Sequence, residues 1–277
     1  MIKIGEFNQL RISREVEFGV YLDDGGEGIL LPKRFVPKGA AIGDLLNVFL
    51  YHDSDSRVIA TTQVPKGVVG EMLKLEVVST TPQGAFLDWG LMKDLFVPRS
   101  QQVSPMVPGA SYLVKIYIDQ QTGRVAATQK ITASLSNEVL TVTELESVDL
   151  LIYRRTDIGY EVIINGKHTG LIHFSDLFSE VETGDRLKGY IKTIRPDHKI
   201  DVAPGKPGYQ KVEDEAGKIL RLLNENSGFL PFHDKSAPED IYAFFGMSKK
   251  TFKMTTGALF KQRKIVFTGS GIRLTAP

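Results

Sequence analysis

Short apolar runs broken by turn residues recur three times along the chain, in the same order each time. The stretch Thr156 to Leu177, "TDIGYEVIINGKHTGLIHFSDL", predicts a strand, an Asn165-Gly166 turn, a second strand and a helix start at Ser175. Gly19, Gly84 and Gly159 each open a comparable run: "GVYLD", "GAFLD" and "GYEVII". A second run follows each ("GILLP", "LFVP", "GLIH"), and then a Gly precedes a third ("LLNVFLY", "YLVKIYI", "LKGYIKTI"). A fourth closes the unit ("RVIATTQ", "RVAATQK", "KIDVAP"), and an extended run lies upstream of each Gly. Five strands rich in Val, Ile, Leu, Tyr and Phe within about 65 residues, with a short turn or helix between the third and fourth, predict a small OB-type barrel. Such a module has a small core, so neighbouring barrels are expected to support one another.

The last 70 or so residues change period. "EDEAGKILRLLNEN" places Ala216, Ile219, Leu220, Leu222 and Leu223 at helical spacing. "SAPEDIYAFFG" predicts a helix with Ser236 as cap, Pro238 in the first turn and Gly246 as stop. "SKKTFKMTTGALFKQRK" restarts on Ser248, with Phe252, Leu259 and Phe260 expected to face inward, and "KIVFTGSGIRLT" predicts a hairpin. Three helices and a hairpin are the order of a winged helix. The expected fold is therefore mainly β with a C-terminal α+β domain: barrels at 1–64, 65–131 and 132–204, a hinge at "PGKPG" (204–208), and a winged helix at 209–277.

Composition narrows the class. Hydrophobic residues make up 42% and charged residues 24%, as in an ordinary globular protein, and no apolar run has the length of a membrane span. The N-terminus lacks the features of a secretory signal. The chain has no cysteine, which removes disulfides, thiolate nucleophiles and Cys-ligated metals and suits a reducing compartment. The net charge of +1 conceals an asymmetry. Residues 205–277 carry 12 Lys and Arg against 7 Asp and Glu, while the rest of the chain is net acidic. Lys249, Lys250, Lys253, Lys261, Arg263 and Lys264 follow one another with no intervening acid, pointing to an anionic partner at this end. The spacing places Lys250, Lys253, Lys261 and Lys264 on one helix face, suited to lie along phosphates; a plain solvated face is the alternative.

In the first repeat, a bulge at Gly19 would bring Phe18 and Tyr21 to one face, beside Asp53 and Arg57, as a base-stacking platform. Buried rings are the alternative. The five histidines share no metal-ligand spacing, "GSG" at 269–271 precedes no helix, and no phosphate-loop motif or nucleophile–base pair is visible. Neither a cofactor, a metal nor enzymatic activity is expected.

The 22 residues from Thr156 resemble the S1 RNA-binding signature, roughly TxFGAFVxLxxGxxGLVHxSEL, without a gap. Three such repeats followed by "FGMSKKTFKMTTGALFKQRKI" resemble the conserved virulence factor B family. The resemblance implies a cytoplasmic bacterial RNA-binding protein acting in post-transcriptional regulation. It implies S1-type binding positions at Phe18, Tyr21, Asp53 and Arg57 in the first repeat, Phe86, Asp119 and Arg124 in the second, and His173 and Lys199 in the third. No repeat is complete. Leu31 and Val97 stand where His is expected, Gln83 replaces an aromatic, Ile158 and Glu161 replace two, and Arg195 replaces Asp. The first repeat is the best equipped.

The expected RNA-contacting set also includes Lys33 and Arg34, together with Lys249, Lys250, Lys253, Lys261 and Lys264. The expected partner is single-stranded RNA bound with low sequence specificity, with the ribosome or RNA-processing proteins as further partners and no membrane. Two other readings remain: a DNA-binding transcriptional regulator led by the winged helix, and a protein-interaction scaffold whose aromatic face is occluded between barrels.

Overall fold

The structure, a computed structural model, describes residues 2–177, 180–205 and 209–275. Residues 206–208 of the expected hinge lie outside the described residues. Each repeat forms five strands in one order. The first contains β1 (Phe7–Val16), β2 (Gly19–Leu22), β3 (Ile29–Pro32), β4 (Leu45–His52) and β5 (Val58–Thr61), closed as β1-β2-β3-β5-β4. Closure is made by a parallel pairing of Leu30 in β3 with Ile59 in β5. The second contains β6 (Met72–Thr81), β7 (Gly84–Leu87), β8 (Leu95–Pro98), β9 (Ser111–Ile118) and β10 (Val125–Thr128). It keeps the order, with β8 and β10 side by side but no closing ladder. The third contains β11 (Ser147–Arg155), β12 (Gly159–Ile164), β13 (His168–His173), β14 (Arg186–Ile194) and β15 (Ile200–Pro204), again closed.

The recurring Gly is a steric requirement. A Cβ at Gly19 would lie 2.2 Å from the Leu31 carbonyl oxygen, and one at Gly84 would lie 2.2 Å from that of Val97. Only a residue without a side chain lets the second strand start against the third. The Asn165-Gly166 turn forms as expected, both residues with positive φ (50° and 69°), joined by a Lys167 N–H to Ile164 C=O bond of 3.0 Å. A one-turn 3-10 segment follows the third strand of each barrel; in the third barrel it runs Phe174–Asp176 and begins one residue before the expected Ser175.

Two compact units emerge, and their boundary passes through the third barrel. Within the first, barrels one and two share a core. Phe49 and Tyr51 of β4 pack with Trp89, Leu75, Leu87 and Val114 of the second barrel. Phe49 meets Trp89 edge-to-face at 5.6 Å. Burying each such side chain contributes roughly 1.5–3 kcal/mol, with more from ring geometry. This is the mutual support a small barrel needs. Met72, Leu113 and Ile131 likewise share a cluster with Leu151 and Ile163.

The C-terminal segment forms α1 (Tyr209–Glu225), β16 (Phe229–Leu230), α2 (Pro238–Phe245), α3 (Lys249–Lys261), β17 (Ile265–Thr268) and β18 (Gly271–Leu274). Its sheet runs β16-β18-β17, so a short strand joins the expected hairpin. Ile219, Leu223, Ile241, Phe245, Phe252 and Leu259 make the core. Ser248 caps α3, accepting the Thr251 N–H at 3.1 Å, and Gly246 ends α2 in the left-handed region. Three expectations are corrected here. Ala237, not Ser236, occupies the cap position of α2; the Ser236 hydroxyl accepts the His233 N–H instead. Phe260 is 49% exposed. Eight residues at about 100° each put it about 80° off the Phe252 stripe, whereas Leu259 falls within about 20° of it. Lys264 lies beyond the end of α3, because the helix closes at Gln262 and Arg263 turns left-handed.

Candidate nucleic-acid interface

In the first barrel the β-bulge is on β1 at Ser13, where the register with β2 shifts, and not at Gly19. Phe18 sits in the β1–β2 turn, 58% exposed, so strand alternation does not govern it. Tyr21 is half-buried on β2 and carries the Arg14 guanidinium 4.1 Å above its ring. Arg14 is a site neighbour missed by sequence reasoning; its place opposite Tyr21 is set by the β1–β2 register. Lys33 and Arg34 are exposed on the following 3-10 turn, with Arg34 against the Phe35 ring.

Asp53 and Arg57 have a structural duty. Asp53 Oδ2 accepts from Arg57 Nε at 2.9 Å and Nη2 at 2.7 Å, while Oδ1 accepts the backbone N–H groups of Asp55 and Arg57. Partial burial works against ionisation of Asp53, but these bonds prevail and hold its carboxyl below the usual range. The pair therefore builds the β4–β5 hairpin.

The second barrel presents a cavity of about 460 Å³ at its joint with the first. Phe86 lines it with Phe96, their ring centroids 5.1 Å apart, and Asp119 and Arg124 line it too. The structure thus brings the three expected second-repeat residues together. It adds Phe96, Lys93, Trp89, Tyr51 and His52, which sequence reasoning missed. Asp119 accepts from the Thr122 hydroxyl at 2.7 Å, and Arg124 reaches across to the Ser56 hydroxyl of the first barrel. Lys93 donates to the carbonyls of His52 and Asp53 at 2.9 and 2.7 Å. Burial pushes the Lys93 ammonium pKa down, aided by Arg124. Burial also lowers His52, reinforced by the Arg124 and Lys93 charges, so its imidazole is held neutral.

In the third barrel His173 lies 3.1 Å from Asp201, which also takes a two-pronged bond from Arg195 at 2.8 and 2.9 Å. The acid missing from the hairpin is thus supplied by β15. Lys199 is exposed and paired with Asp197. Ile158 is exposed where an aromatic was expected, and Glu161 is held by Arg154.

On α3, Lys250, Lys253 and Lys261 are exposed, as is Lys264 beyond it; Lys249 is half-buried. Among the described residues none of these five is in an ion pair with a carboxylate. Phe260 and Phe267 form an exposed ring pair at 5.2 Å beside them. Among the described residues no group of three or more His, Asp or Glu is placed to hold a metal, and no helix is long and apolar enough to cross a membrane.

Residues 4–63 match the S1 domain family, and residues 217–274 match the CvfB-like winged helix domain family. The chain is 28% identical over 270 residues to YitL of Bacillus subtilis (strain 168), covering 94% of this chain and 90% of YitL. It is 26% identical over 242 residues to conserved virulence factor B of Staphylococcus aureus (strain N315), covering 84% and 80%. The chain is a homologue of these two proteins. A multidomain protein with nucleic acid binding domains from Streptococcus pneumoniae aligns over 98% of both chains, with 23% identity and a TM-score of 0.41. The alignment with YitL covers 94% of this chain, so the likeness is not confined to the two matched domains.

Proposed function

We propose that this chain is a cytoplasmic, non-enzymatic protein that binds single-stranded RNA with little sequence preference and acts in post-transcriptional regulation. The observation that carries the reading is the first barrel's surface, where exposed Phe18, the Arg14–Tyr21 stack, and Lys33 and Arg34 stand on consecutive strands and turns. Aromatic rings stack on any base, and the neighbouring cations hold the backbone, which gives affinity without sequence readout. The S1 family match at residues 4–63 covers this surface. The α3 lysines add a second phosphate contact, and linkage of weak sites on one chain multiplies their affinity. Lysine mainly gives affinity as a point charge, and α3 has few Arg, Asn or Gln for base edges in duplex DNA, with Gln262 and Arg263 standing out. The third barrel, with His173, Arg195 and Lys199 each held against a carboxylate, acts mainly as a spacer. The ribosome and RNA-processing proteins are the partner class this function implies.

The test is fluorescence anisotropy of labelled single-stranded RNA, single-stranded DNA and duplex DNA of equal length, at two salt concentrations. Preference for single-stranded RNA is expected. Preference for duplex DNA would overturn the reading and assign a transcriptional role to the winged helix. Binding to none of the three would leave a protein scaffold as the surviving function.

A further inference from the structure

Two phenylalanines of the winged helix stand outside its core and are held together at its surface. Phe260 lies in the last turn of α3 and Phe267 on β17, with ring centroids 5.2 Å apart and planes at 44°. They are 49% and 45% exposed, whereas Phe245 and Phe252 of the same domain are fully buried. Neither belongs to the apolar cluster made by Ile219, Phe245, Phe252 and Leu259. The link between the rings is tied down by three backbone bonds. Gln262 N–H donates to Ala258 C=O at 3.0 Å, Arg263 N–H to Phe260 C=O at 2.9 Å, and Lys264 N–H to Leu259 C=O at 3.0 Å. Arg263 takes the left-handed backbone, φ 57°, where the chain turns from helix into strand. The rings are thus preorganised, and a ligand that meets them does not have to order them first.

We infer that this ring pair is a stacking site for one unpaired base of a single strand, whose flanking phosphates lie on the cations between the rings. The inference rests on the RNA reading and adds to it a base contact that charge alone cannot make. From Ile241 to Pro277 the chain carries seven Lys or Arg and no Asp or Glu. Lys261, Arg263 and Lys264 lie between the rings in sequence, all exposed, and among the described residues none is in an ion pair with a carboxylate. The complementary ligand is therefore anionic.

The size of the surface selects among anions. Two half-exposed rings offer about 200 Å² in all, enough for one flat group and far short of the roughly 800 Å² that each partner gives to a stable protein interface. An acidic peptide adding as a strand is poorly served as well. β17 is the sheet edge, but it has four residues and Ile265 is only 1% exposed. In a duplex the base faces are stacked away inside the helix, and phosphates and base edges are what it presents. A ring pair therefore favours single strands, a choice that lysines by themselves do not make.

The full chain and its Phe260→Leu and Phe267→Leu variants are titrated by anisotropy with a labelled oligoribonucleotide and a labelled duplex of equal length, each over a salt series. Leucine keeps an apolar side chain and removes the flat face. Each variant is expected to melt as wild type and to bind the single strand about 5–10-fold more weakly. Duplex affinity and the salt slope are expected to stay at wild-type values, since no charge is lost. In parallel, the wild-type chain is irradiated with an oligoribonucleotide bearing 5-iodouridine, and a crosslink to Phe260 or Phe267 is expected. That arm gives the answer where a variant melts early. Variants that bind the single strand as wild type, or that weaken single strand and duplex alike, overturn the inference and leave the RNA reading standing. So does the absence of a crosslink at either ring when the oligoribonucleotide binds. A glutamate–tyrosine copolymer that binds wild type but not the variants, with RNA affinity unchanged, reassigns the face to an acidic protein. If wild type binds no oligoribonucleotide, both readings fail.

Discussion

Replacing Lys253 and Lys261 of α3 by glutamine tests the charge logic of the winged helix with a countable result. Both side chains are exposed, and neither is in an ion pair with a carboxylate among the described residues. Their loss therefore leaves no buried group unsatisfied, and stability is expected to change by less than about 0.5 kcal/mol. Each phosphate neutralised on a single strand contributes about 0.7 to the slope of log K against log salt. Removing two contacts should shrink that slope by about 1.4, or about 1.8 on duplex DNA. Over a fourfold rise in salt, a slope smaller by about 1.4 makes binding fall about 7-fold less than wild type does. The assay is anisotropy of a labelled oligoribonucleotide across a salt series, with a thermal melt as control. A double variant that melts normally and keeps the wild-type slope would refute phosphate contact by α3, leaving its charge as a solubility feature.

Three further outcomes follow from the geometry. Phe18→Ala, at a ring 58% exposed, should weaken single-strand binding by about 1–3 kcal/mol with an unchanged melting temperature; a lowered melting temperature would show the ring to be structural. Phe49→Ala empties the joint between the first two barrels and should cost about 3–5 kcal/mol, seen as a lower urea midpoint together with altered Trp89 emission in the folded state. His52, lowered from its usual 6.5 by burial and then by Arg124 and Lys93, binds fewer protons folded than unfolded. Stability tied to it is complete above the unfolded value and falls as pH drops through that value toward the folded one. His52→Gln should flatten the stability profile below about pH 6.5, and an unchanged profile in urea titrations would discount the shift.

The barrels were legible because their signals are local. Where an added Cβ would fall 2.2 Å from a backbone carbonyl oxygen, only glycine fits without a backbone shift, and such a glycine recurs at Gly19 and Gly84. The Asn165-Gly166 turn and the Ser248 cap are likewise decided within a few residues. Where expectation missed, a competing contact won. Ser236 was drawn into the turn at His233, Phe260 fell off the buried stripe by angle, and the bulge moved to Ser13 because register is set between strands and not by the glycine.

The joint between barrels, and with it the cavity, was harder to see because its parts are distant in sequence: Tyr51 and His52, then Lys93, then Arg124. One signal was nonetheless present. A strand with one buried face alternates, yet "VFLY" at 48–51 is apolar throughout. Val48 and Leu50 enter the first barrel's own core, while Phe49 and Tyr51 enter the second's. Loss of alternation on a barrel strand means that its outer face is also covered, and here the cover is the next barrel. The matching strand β9 is interrupted by Lys115 within "YLVKIYI", and there only Leu113 of the outward positions is buried, against Leu151 and Ile163. The run at 48–51 therefore predicts that the first two barrels share a core, as Phe49 and Tyr51 do with Trp89.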